Sequence, residues 1–103
     1  MKYMITWEER PMGSALEYEA AQKRILEVFT KWQMPEALKI EQFLVRLGDH
    51  GGFILVETDD PLAIHRLTFT FPAFVFRVFP VLDIQAAVGT EMEAIAWRDG
   101  LAG

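Results

Sequence analysis

Glu57, Gln42 and Arg46 fall on two apolar stretches separated by the turn GDHGG, so they meet on one face if those stretches pair as a hairpin. A carboxylate, an amide and a guanidinium on one face can orient a polar group of a substrate, or they can pair with one another. Arg77 is the one charge in the run FVFRVFP. It is either a pocket cation or a guard against sheet extension at an exposed edge. His65 is the only side chain on the second helical stretch that titrates near neutrality, which makes it the candidate for proton transfer. His50, beside Asp49 at the hairpin tip, is expected in solvent. Two histidines so placed, with no cysteine anywhere, do not make a metal-ligand set, so neither a metal nor a cofactor is expected. Tyr3, Trp7, Trp32, Phe69, Phe71, Phe74 and Phe76 could line a pocket for a flat apolar ligand or simply fill the core.

These groups must be positioned by one domain, since 103 residues leave room for no second one. A chain of that size buries roughly two thirds of its unfolded surface. With 51% hydrophobic residues, eight Phe and three Trp, it carries a large apolar payload, and part of it is expected against a second copy. The net charge of -5 disfavours an extended phosphate-binding surface, so nucleic acid is not expected as a partner. No apolar run approaches the roughly 18 residues of a membrane span. The start, MKYMITWEERP, is broken by charge within ten residues, so a cytoplasmic protein without a membrane partner is expected.

The elements follow from periodicity. Lys2 to Trp7 alternates as a strand. Ser14 with Glu17 forms a capping box, and Tyr18, Ala21, Ile25, Val28, Phe29 and Trp32 then make one apolar stripe of a helix that Pro35 ends. Leu38 to Leu47 and Gly52 to Thr58 read as two strands joined by the glycine turn. Pairing Gly48 with Gly51 would set Val45 opposite Ile54 and Phe43 opposite Val56 on one face. Arg46 would then oppose Phe53, Leu44 would oppose Leu55, and Gln42 would oppose Glu57 on the other. Thr58, Asp59 and Asp60 with Pro61 start a second helix, Leu62 to Phe71, and Phe74 to Pro80 is a fourth strand. Residues 83–103 read as a helical extension, bent or divided near Gly89 by the capping pair Thr90 and Glu93.

The order β-α-β-β-α-β plus a C-terminal helix is the ferredoxin-like α+β plan, with two helices on one face of a four-stranded antiparallel sheet. Two helices cover one face only, while strands three and four are apolar on both. The other face needs the C-terminal helix, a second subunit, or both. The RNA-recognition motif shares this order, but Leu55 and Glu57 stand where stacking aromatics are needed, and the charge opposes RNA.

The segments MKYMITW, VRLGDHGGFILVETDDP and FRVFPV together resemble a bacterial domain-of-unknown-function family placed among the dimeric α/β-barrel proteins. The resemblance runs to about Val81. It implies a homodimer whose two sheets form a barrel, and it brings no established activity. The wider superfamily includes cofactor-independent oxygenases and haem-degrading enzymes, many of which bind an apolar substrate between helices and sheet. Haem-degrading relatives carry a functional His on the helix corresponding to that of His65, but the Asn of their Asn-Trp-His set has no counterpart in a chain without asparagine. Two functions are therefore expected as alternatives. One is a monooxygenase-like cleft for a small apolar molecule, with Glu57, Arg46, Gln42, Arg77, Trp7 and His65 as contacts. The other is a non-catalytic dimeric module whose apolar surface serves self-association.

Overall fold

A computed structural model describes residues 1–102; Gly103, the last residue of the expected extension, lies outside the described residues. The elements are β1 (Lys2–Glu9), α1 (Ala15–Lys31), β2 (Lys39–Val45), β3 (Gly51–Glu57), α2 (Pro61–Thr70), β4 (Phe74–Val81) and α3 (Ile84–Ala102). The strands form one antiparallel sheet in the order β2-β3-β1-β4, so the first and third strands are central, as a ferredoxin-like fold requires.

Local chemistry sets the helix limits. Ser14 caps α1 by accepting a hydrogen bond from the Glu17 amide at 3.2 Å. The Glu17 carboxylate reaches one residue further back than a capping box predicts, accepting from the Gly13 amide at 2.7 Å. Asp60 caps α2 by accepting from the Leu62 amide, and Pro61 takes the first helical position. Thr58, buried just before it, donates through Oγ1 to the Ala37 carbonyl at 2.6 Å, which ties the end of β3 to the segment leading into β2.

Alternation along the paired strands divides the sheet into two faces. Ile5, Ile54 and Val56 point to the helices and are buried with Leu38, Ala63, Ile64, Leu67 and Phe71. This is the core, and α2 contributes the larger share of its helical side. No residue of α1 is fully buried; its stripe of Tyr18, Ala21, Ile25, Val28 and Trp32 is half-buried, and Phe29 is more exposed.

The hairpin register differs from the sequence expectation. Val45 pairs with Gly52, Leu44 with Phe53, Phe43 with Ile54 and Gln42 with Leu55, a slip of two residues. The turn is longer than expected: the Arg46 amide donates to the Gly51 carbonyl, which encloses four residues, with Gly48 at φ 71°. Because strands alternate with period two, a slip of two leaves every side chain on its expected face and changes only its partners. Glu57 therefore sits opposite Lys39 and Lys2, with Gln42 one row away, and a bulge at Glu41 absorbs the change in spacing.

The extension is one continuous helix through Gly89, because the surrounding Ala, Gln, Glu and Met outweigh a single glycine costing about 1 kcal/mol. It does not fold back over the sheet. Every side chain from Ile84 to Leu101 is exposed except the half-buried Ala87. The molecule measures 68 × 30 × 19 Å with a radius of gyration of 18.9 Å, against about 13 Å for a compact chain of this length. The second face of the sheet is thus uncovered within the subunit.

Candidate functional site

A cavity of about 310 Å³ lies between α1 and the helix-side face of the sheet. The strands supply its floor. Ile54 comes from β3, Phe74 and Phe76 from β4, Phe43 and Val45 from β2, and Trp7 from β1. Trp7 can lie flat there because its register partner is Gly52, whose absent side chain leaves the space that the indole fills. The indole meets Phe74 edge-on at 5.0 Å and Phe43 at 6.1 Å. Ile25, Leu26 and Phe29 of α1 form the roof, and Leu67 with Phe71 closes one side. The space exists because α1 buries no residue completely, whereas α2 seats Ala63, Ile64 and Leu67 in the core.

No charged side chain lines this cavity. The Trp7 Nε1–H is buried without an acceptor among the described residues and is closed off from the cavity space. Such a site favours a flat, uncharged molecule, because an ion entering it would lose hydration with no counter-charge in return.

The other residues singled out in the sequence lie elsewhere. Trp7 is in the cavity; Glu57, Gln42, Arg46 and Arg77 are on the opposite, uncovered face. Four rows cross that face. Lys39, Glu57, Lys2 and Val81 form the first, Gln42, Leu55, Met4 and Phe79 the second, Leu44, Phe53, Thr6 and Arg77 the third, and Glu8 with Val75 the fourth. The middle rows are apolar apart from Thr6 and the two corners, Gln42 and Arg77, while charges collect at the two ends. At one end Lys2 contacts Asp83 at 3.1 Å and Glu41 at 3.6 Å, and the hydrogen bond that Lys2 Nζ donates to the Asp83 carboxylate leads the effects that raise the lysine pKa. At the other end Arg46 donates to Asp49 at 3.0 Å and to Glu8 at 3.2 Å, its guanidinium lying over Gly51. The hydrogen bond from Arg46 is the main reason the Asp49 carboxyl sits below the usual carboxylate range. Arg77 has no ion-pair partner among the described residues.

His65 is exposed on α2, its ring 4.5 Å from that of the equally exposed Phe69, outside the cavity. His50 is exposed, as the sequence predicts, and its Nδ1 also lies 3.4 Å from Glu9 Oε2 while its ring stacks on Tyr18 at 6.0 Å. The Glu9 side chain is only 5% exposed, and its Oε1 has no partner among the described residues. This group is hidden in the sequence because the strand read there, Lys2 to Trp7, stops short of Glu9. Pairing with β4 carries β1 two residues past Trp7, and alternation then turns Glu9 to the helix side.

No set of three His, Asp or Glu that could hold a metal occurs among the described residues, and no helix among them is long and apolar enough to cross a membrane. The model of one protein family, described as a domain of unknown function (DUF3303), matches residues 1–95. No curated protein matches the chain.

Proposed function

The chain belongs to the DUF3303 family of domains of unknown function, and from that premise we propose that it is a homodimeric binding protein for a small, flat, uncharged apolar molecule. The two faces of its sheet have separate tasks. The helix-side cavity receives the ligand, and the uncovered face receives a second copy. The observation that carries the first part is the 310 Å³ cavity with hydrocarbon and aromatic walls and no charge. That volume corresponds to roughly ten water molecules, the size of a two-ring compound.

The second part rests on the apolar middle rows of the other face, with charges gathered at both ends, the distribution of a dry interface core within a polar rim. Binding is favoured over turnover because no general acid or base lines the cavity. The alternative, a dimeric module without a ligand, draws on the same uncovered face but gives the cavity no task.

Calorimetric titration distinguishes the two. 1-Naphthol is expected to bind with one site per subunit, and 1-naphthoate, equal in ring size but charged, roughly 100-fold more weakly. Equal affinities, or no binding by either, would rule out the cavity as a ligand site and leave the dimeric module.

A further inference from the structure

We infer that α3 is an arm exchanged between the two copies, each lying against its partner beside the sheet-to-sheet contact; this rests on the dimer proposed above. Ile84, Val88, Met92 and Ile95 recur at spacings of four, four and three and form one apolar stripe, while Trp97 and Leu101 form another. All six are exposed within the subunit. A helix apolar on more than one side belongs inside a core, and this one has no core of its own chain around it. It leaves directly from β4, an edge strand of the uncovered face, and Asp83 at its start is held by Lys2 of that same face. The helix is therefore continuous with the surface that a second copy would cover.

The area agrees with the same occupant. Four strands about 4.8 Å apart and about 26 Å long give the open face a footprint of roughly 500 Å². A standard interface takes about 800 Å² per partner. One side of a 19-residue helix, about 28 Å long and about 10 Å wide, supplies roughly the difference. The sheet face alone falls short, and the sheet with the arm does not.

The experiment is sedimentation of the full chain at several concentrations, as wild type, as Met92→Glu/Ile95→Glu and as Leu16→Glu, an exposed position on α1. The arm variant touches no core residue of its own subunit, so circular dichroism should match the wild type; the milder Val88→Ser is measured alongside it. The expected result is a wild-type dimer, unchanged in Leu16→Glu and weakened about 100-fold or more in Met92→Glu/Ile95→Glu. A dimer of undiminished affinity in both arm variants would overturn the exchange and leave the dimer standing. A wild-type monomer would overturn the dimer and the arm together.

Discussion

Gly52→Ala is expected to cost about 3 kcal/mol, the upper end of the range for overpacking a close-packed site. A Cβ at Gly52 would collide with the Leu44 carbonyl oxygen of β2 and would stand 2.7–2.8 Å from two ring carbons of Trp7. Neither obstacle can give way cheaply. The carbonyl belongs to the backbone of the paired strand, and the indole is held between Phe43 and Phe74. Relief would open the hairpin or expel Trp7 from the cavity wall, so ligand binding should fall with stability. Gly89→Ala is the control, since a Cβ there meets nothing within 4 Å and Ala is the better helix former by about 1 kcal/mol. Urea unfolding of both variants checks the pair. A loss at Gly52 below about 0.5 kcal/mol, the scale of an ordinary surface change, would contradict the packing described.

Phe53→Glu should leave the subunit folded and the dimer broken. Phe53 is 39% exposed and lies between Thr6 and Leu44 in the third row of the open face, away from the core cluster on the other side. In a two-fold contact each such change acts twice, burying two carboxylates without partners near the centre of the interface. An uncompensated charge in a buried contact costs about 3–5 kcal/mol, so the dissociation constant should rise by roughly 150- to 4000-fold. Sedimentation at micromolar concentration should then give a single species of 11.8 kDa with unchanged circular dichroism. A variant that remains dimeric would show that this face is not the contact.

Much of the fold is legible in the letters because it is local. The Ser14 cap, the Asp60-Pro61 helix start and the continuous apolar run Phe53 to Val56 each act within a few residues. The apolar stripe of α1 is readable too, but not that α1 sits high enough to leave a cavity beneath Ile25, Leu26 and Phe29. That depends on how α2 and Phe71 pack, a sum over residues distant in sequence. The hairpin register is not legible because two glycine-bounded turns fit GDHGG, and the longer one is held by Arg46, which bridges Asp49 and Glu8. For the site, Trp7, Phe71, Phe74 and Phe76 of the aromatics named as pocket-lining do line the cavity, Tyr3, Trp32 and Phe69 do not, and none of the polar contacts does. The letters place Glu57, Gln42 and Arg46 on a common face and leave Arg77 unassigned; only the sheet order adds Arg77 to that face, and only the layering of helices and sheet tells that it is the face opposite the cavity.

The division of labour between the two faces is tested most directly by methyl NMR of the full chain titrated with 1-naphthol. Ring currents from the bound compound should move the methyl resonances of Ile25, Leu26, Val45, Ile54 and Leu67, which line the cavity. Those of Met4 and Leu55, in the second row of the opposite face, should stay where they are. Shifts confined to Met4 and Leu55, or equal on both faces, would contradict the account.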